Sequence, residues 1–278
     1  MDFFVRKAVF IILFVLILCT VVASNRINHP QTHVQISNAC NTVSSVSCVP
    51  IESAPILPTP NSSIPQTDKE RFLSAIANHL SPVPQTGTYE YILLKAYGAA
   101  FINHNKIAKL PPTVLLNNEQ ETQAFQNSLT MVKVEGTNDC YLQATAAAAL
   151  NQARLQENIP LKSGYGSGDC TRTYATNLRF WYKYANQNTL DQVRQGKETA
   201  ILSTVAPPGT SQHLWGLAID LRISNEKQRQ TLNEYGWFQT VVNDVPHWTY
   251  LGLTESDLSS LGLINKVETG ISYWVTPL

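Results

Sequence analysis

The order of segments in this sequence of 278 residues is compatible with an α+β domain. Three observations point there: helix-forming stretches come first, an alternating segment from Leu217 to Ile223 reads as a strand, and a second strand begins at His247. A hydrophobic content of 44% suffices for one substantial core, so one main domain behind a leader and a linker is expected.

Taken in order, Arg6 and Lys7 precede an unbroken apolar run from Ala8 to Ala23, the layout of an export signal with cleavage after Ala23 or Ser24. The run is slightly shorter than the roughly 20 residues that span a bilayer, and an uncleaved membrane anchor is the alternative. Either way the body lies outside the cytoplasm: periplasmic, wall-associated or secreted. Cys19 follows Leu18, where a lipoprotein signal requires a small residue. Residues 1–24 are thus leader or anchor, and 25–66 an extracytoplasmic linker, proline-rich from Pro50 to Pro65.

Residues 67–139 read as a helical N-terminal part of the domain. Thr67 and Glu70 have capping-box spacing and lead into an amphipathic helix ended by Pro82. A second helix is predicted over Tyr89 to Asn103, a short strand over Thr113 to Asn117, and a helix from about Glu119 to Leu129. From 140 to 278 the chain bears its chemistry. The alanine-rich run from Tyr141 is strongly helix-forming. An apolar strand at Ile159 enters a loop with Gly164, Gly166 and Gly168, and a further helix runs from Thr173 to Asn188. These glycines do not follow the order of a dinucleotide or phosphate loop.

Four cysteines follow the leader, Cys40, Cys48, Cys140 and Cys170, an even number in an exported chain. Three pairings are open, of which Cys40 with Cys48 and Cys140 with Cys170 is preferred, because the second pair flanks a single helical unit. No C-x-x-C spacing supports a cysteine zinc site. Twenty basic and twenty acidic residues balance, without a basic stripe, which argues against a nucleic-acid partner.

The informative stretch runs from Ser211 to Ile223. Leu217, Ile219, Leu221 and Ile223 alternate with Ala218, Asp220 and Arg222, so the strand is expected to be half-buried and to present a carboxylate beside a small residue. Gly216 supplies a turn that brings His213 back over Asp220. After a helix over 225–236, stopped at Gly236, Asp244 precedes His247 by three residues. Two histidines and one carboxylate suit a zinc ion with an open position, and the other carboxylate suits a base. The residues alone also permit a hydrogen-bonding His247 and a turn-forming Asp244.

Ser-x-His-x6-Asp followed by acid-x-x-His resembles the VanY-type D-alanyl-D-alanine carboxypeptidases, zinc peptidases whose wider group includes lysostaphin and the hedgehog fold. The match runs through SQHLWGLAIDL and DVPHWTYLG, with Ser163 to Tyr165 and Tyr235 to Phe238 in order, and covers about Cys140 to Leu253. The resemblance implies a small antiparallel sheet that carries the zinc ligands His213, Asp220 and His247, packed by helices. It implies Asp244 as catalytic base and peptidoglycan peptides as substrate. Two positions depart from the pattern. Asp244 stands where glutamate is usual, and Gly166 where an arginine grips the substrate carboxylate. Arg172 is the candidate replacement, and Ser163 and Trp215 are set beside the substrate with it. Trp215, Trp237, Trp248 and Tyr250 either line a cleft or pack the core. Without the arginine an endopeptidase gains credit, as does a wall-binding protein that keeps zinc without turnover.

Overall fold

The computed structural model describes residues 66–103, 107–164 and 166–278. The expected leader, the expected linker up to Pro65, Cys40 and Cys48 lie outside them. Among the described residues no helix is long and apolar enough to cross a membrane.

Helix α1, Asp68–Ile76, starts as its sequence requires: Thr67 Oγ1 accepts the Glu70 amide, and the Glu70 carboxylate accepts the Thr67 amide at 2.8 Å. Phe72 and Ile76 are buried on its inner face. Helix α2, Tyr89–Tyr97, is capped by Thr88. The expected continuation to Asn103 instead tightens into a 3₁₀ turn, Gly98–Ile102, all of it buried. At Thr113 to Asn117 no strand forms. Leu116 makes one backbone bond to Gly209, at 2.9 Å, and no neighbouring strand extends the ladder.

Helix α3, Glu119–Asn127, is capped by Asn118. Strands β1, Met131–Lys133, and β2, Tyr141–Gln143, pair antiparallel, so the alanine-rich helix α4 is shortened to Ala144–Gln156. Its small Ala146, Ala147 and Ala153 side chains sit in the core with Leu150. The expected strand at Ile159 is reduced to one bridge, Leu161 to Leu221. Helix α5, Tyr174–Tyr184, stops short of the expected Asn188, because Asn186 caps a separate helix α6, Gln187–Arg194.

The central sheet contains β3, Ala218–Asp220, β4, Trp237–Phe238, and β5, His247–Tyr250, in the antiparallel order β3-β5-β4. Helix α7, Glu226–Glu234, joins β3 to β4. Strand β3 is buried on both faces, which corrects the expected half-buried strand. Alternation assigned its faces correctly but not the cover on the second one, which long-range packing supplies. Helix α8, Glu255–Ser260, leads to a hairpin of β6, Ile264–Glu268, and β7, Ile271–Val275. Thr269 and Gly270 both have positive φ, 50° and 80°, as a tight two-residue hairpin turn demands.

Cys140 and Cys170 form a buried disulfide, Cα to Cα 5.4 Å, across 30 residues. Chain-entropy reasoning puts its stabilisation at about 3–4 kcal/mol. Replacing both cysteines by alanine is expected to lower the urea midpoint accordingly and to steepen the slope, because the unlinked denatured chain exposes more surface.

Candidate metal centre

The register of the central sheet sets Asp220 directly opposite His247, and Ala218 opposite Thr249. Opposed residues of an antiparallel pair share a face, so all four point the same way, and the small Ala218 leaves room beside the carboxylate. Ile219, Trp248, Trp237 and Tyr250 face the other side, where they are buried. These aromatics are core, and so is Trp215, which packs on Phe101 at 5.2 Å between ring centres. Trp215 does not line the cavity that contains His213, Asp220 and His247, a correction to its expected place beside substrate. Its indole is directed inward because the 3₁₀ turn Gln212–Trp215 gives successive residues different directions, and His213 takes the one toward Asp220.

His213 reaches the sheet through that turn. Ser211 caps it, and Gly216 ends it in the left-handed region at φ 66°. The chain then reverses into β3, so His213 and Asp220 converge although seven residues apart. His213 Nε2 lies 3.3 Å from Asp220 Oδ1 and 3.2 Å from His247 Nδ1, and His247 Nδ1 lies 3.8 Å from the same Oδ1. All three residues are buried. At zinc bond lengths of about 2.0–2.2 Å, tetrahedral ligand atoms sit roughly 3.3–3.6 Å apart. The three edges therefore fit one zinc ion.

Protonation agrees with that fit. His213 Nδ1 donates to the Cys170 carbonyl at 2.8 Å, so Nε2 of the neutral ring presents a lone pair. His247 Nε2 is 3.2 Å from Thr249 Oγ1, which bonds Thr240 Oγ1 at 2.8 Å, leaving Nδ1 to the centre. Burial lowers both imidazoles from their usual range, that of His247 to about 3. Burial pushes Asp220 up, but His213, Arg172 and His247 outweigh it and hold the carboxylate well below its usual range. Near neutral pH the set is two neutral rings and one carboxylate, which is the ionisation a zinc ion requires.

Arg172 completes the surroundings of Asp220. Its guanidinium reaches Oδ2 at 2.5 Å, donates to Gly168 O at 2.8 Å, and stacks on Phe180 at 4.7 Å. Both partners of the ion pair are largely buried. The structure thus places Arg172 on the carboxylate of this chain, not free for a substrate carboxylate. Ser163 donates to Asp169 Oδ2 through its amide and its hydroxyl, at 2.8 and 2.6 Å, and lines the cavity. The other departure, Gly166, has φ 98°, and a Cβ there would lie 2.6 Å from Asp139 Oδ1 and 2.9 Å from the Cys140 amide. Gly166→Arg is expected to cost about 1–3 kcal/mol from the left-handed backbone alone. It is expected not to tighten binding of peptides with a free carboxyl terminus, measurable by calorimetry.

His213, Asp220, His247 and Asp244 all line one cavity of about 450 Å³, together with Ser163, Lys162 and Gln212. Burial, then the Asp220 charge, pushes the Asp244 carboxyl up to about 7. Such a group can take and return a proton near neutral pH. Sequence reasoning missed the Cys170 carbonyl, Thr249 and Asp169. A period-two reading of β5 would have found Thr249, two residues past His247 on the same face. No local signal marks the Cys170 carbonyl.

Against known proteins, the family model VanY, D-alanyl-D-alanine carboxypeptidase, matches residues 141–252. A search of curated proteins finds no match. Among solved structures, the D,D-dipeptidase VanXYg, in complex with a D-Ala-D-Ala phosphinate analog, aligns at 13% identity and TM-score 0.33, over 51% of this chain and 71% of its own. VanYB in complex with D-alanine-D-alanine aligns at 18% and 0.32, over 50% and 86%. The LD-carboxypeptidase LdcB aligns at 19% and 0.30, over 46% and 69%. At these scores the structural likenesses carry no argument about function. Residues 141–252, less than half of the sequence, thus resemble the VanY D-alanyl-D-alanine carboxypeptidase family, and the matched stretch contains His213, Asp220, Asp244 and His247.

Proposed function

We propose that this protein hydrolyses peptidoglycan peptides outside the cytoplasm, with zinc held by His213, Asp220 and His247 and with Asp244 as the acid–base residue. The observation that carries this reading is the convergence of three deprotonated donor atoms, 3.2 to 3.8 Å apart, in a cavity that also holds an Asp244 carboxyl pushed up to about 7. Zinc, when bound, supplies Lewis acidity, which brings the pKa of water toward about 7 and polarises a carbonyl. Asp244 accepts the proton of the attacking water and returns it to the leaving amine, so one carboxyl serves both halves of the reaction. Arg172 keeps Oδ2 of Asp220 occupied and leaves Oδ1 to the metal. The Cys170 carbonyl and Thr249 fix which nitrogen of each imidazole faces it. Export rests on Arg6, Lys7 and the apolar run to Ala23, which serve as a signal or as a membrane anchor.

A carboxypeptidase needs a cation for the terminal carboxylate of its substrate. Arg172 is engaged with Asp220, and Gly166 leaves no room for a side chain, so Lys162 and Lys183 are the cavity cations left for that carboxylate, and an endopeptidase that cuts within cross-links is the second reading. Mass spectrometry of products from a defined stem pentapeptide and a defined cross-linked dimer separates the two. Release of D-alanine from the pentapeptide supports the first, and resolution of the dimer without free D-alanine supports the second. No product from either, with zinc bound, leaves a wall-binding protein.

A further inference from the structure

We propose that the Cys140–Cys170 disulfide is a positioning element of the metal centre, acting through the loop from Gly166 to Arg172. This inference rests on the ligand set just proposed. Three residues of the loop reach two candidate ligands. The Asp169 carbonyl accepts the Asp220 amide at 2.8 Å, and the Cys170 carbonyl accepts His213 Nδ1–H at 2.8 Å. Arg172 binds Asp220 Oδ2 at 2.5 Å through its side chain and the His213 carbonyl at 3.2 Å through its amide. The loop thus holds both the backbone and the side chains of His213 and Asp220.

Because a carbonyl can only accept, the bond to Cys170 both selects the tautomer of His213 and aims its ring. The aim is as good as the placement of that one carbonyl. Its surroundings are intrinsically permissive, since Gly164, Gly166 and Gly168 precede it, the first two at positive φ. Inside the loop, Gly166 O accepts the amides of Asp169 and Cys170, at 2.8 and 3.0 Å, and the Asp169 carboxylate holds Ser163. The covalent tie outward is the disulfide, whose other half is fixed beside strand β2, where Cys140 O accepts the Val134 amide at 2.8 Å. Thr171 also holds the loop to β2, its hydroxyl donating to Tyr141 O at 2.6 Å, so cutting the disulfide loosens the Cys170 carbonyl without releasing the loop and leaves the three ligands themselves intact.

The test is zinc affinity and site geometry, not turnover. The full chain carrying Cys140→Ala with Cys170→Ala, which introduces no free thiol, is titrated with zinc against a chromophoric chelator. It is also loaded with cobalt for its visible spectrum. Leu258→Ala on α8, buried and outside the cavity lining, serves as a destabilised control, because it empties part of the core away from the site. Loss of an outer-shell partner predicts an affinity about 10–100-fold weaker and an altered cobalt spectrum in the cysteine pair, with both unchanged in the control. Wild-type affinity and spectrum in the cysteine variant, or equal losses in both variants, overturn the proposal. If the cysteine pair does not fold, the wild-type protein is titrated with zinc before and after reduction of the disulfide by a phosphine: affinity about 10-fold weaker or more in the reduced protein is expected, and equal affinity in the two states overturns the proposal. Zinc retained by His213→Ala would instead count against the ligand set itself.

Discussion

His213→Ala is expected to leave a folded protein without stoichiometric zinc and without hydrolysis. The imidazole contributes one edge atom to each of two short distances, 3.3 Å to Asp220 and 3.2 Å to His247, so its loss leaves two donors on one side of the centre. Affinity should fall by more than the 10–100-fold typical of an outer-shell partner. Asp220→Ala is expected to remove zinc as well, but with an added cost in stability. Arg172 is largely buried against Asp220, and taking away the carboxylate strands a buried cation, at about 3–5 kcal/mol. The two variants should therefore match in zinc content and differ in urea midpoint. A His213→Ala protein that keeps one zinc per chain would remove this residue from the ligand set.

Asp244→Asn is expected to keep zinc and lose turnover, by about 10²–10⁴-fold in kcat, the range for an acid–base group. Asp244→Glu, which keeps the carboxylate on a side chain one methylene longer, should stay within about tenfold of wild type if the carboxyl acts on water. The pH dependence has a definite sign. Asp244 must be ionised to accept a proton, so kcat falls as pH drops through its pKa. A bound dication pulls that value below the 7 to which burial and Asp220 push it in the metal-free protein. Stability runs the opposite way. With a folded pKa near 7 and an unfolded value of about 3.9, the metal-free protein has this contribution in full only below pH 4 and loses it as pH rises through 7. Metal-free Asp244→Asn should melt higher than wild type at pH 8 and converge with it near pH 4. A wild-type rate in Asp244→Asn would assign the base elsewhere.

Much of the candidate centre is legible because its residues announce themselves locally. His213, Gly216, Asp220, Asp244 and His247 lie within two short stretches, and period-two alternation put Asp220 on the face that the register then sets opposite His247. Thr67 with Glu70 marked a helix start through chemistry that needs no partner from afar. Strand pairing was less visible. Met131–Lys133 becomes a strand only against Tyr141–Gln143, and Thr113 to Asn117, apolar enough for a strand, finds no ladder. Arg172 illustrates the same limit within the site. Its distance in sequence from Asp220 concealed an ion pair that uses the guanidinium within the protein, and so changed its expected role. Trp215 lay beside the motif in sequence and entered the core in space.

Loading and removing the metal on one preparation tests the central claim most directly. Zinc is counted per chain, and hydrolysis of a defined stem pentapeptide and a cross-linked dimer is followed by mass spectrometry before chelation, after it, and after zinc is restored. One zinc per chain, with cleavage of either substrate lost on chelation and regained with zinc, is the expected result. Cleavage that persists in the zinc-free protein would contradict it.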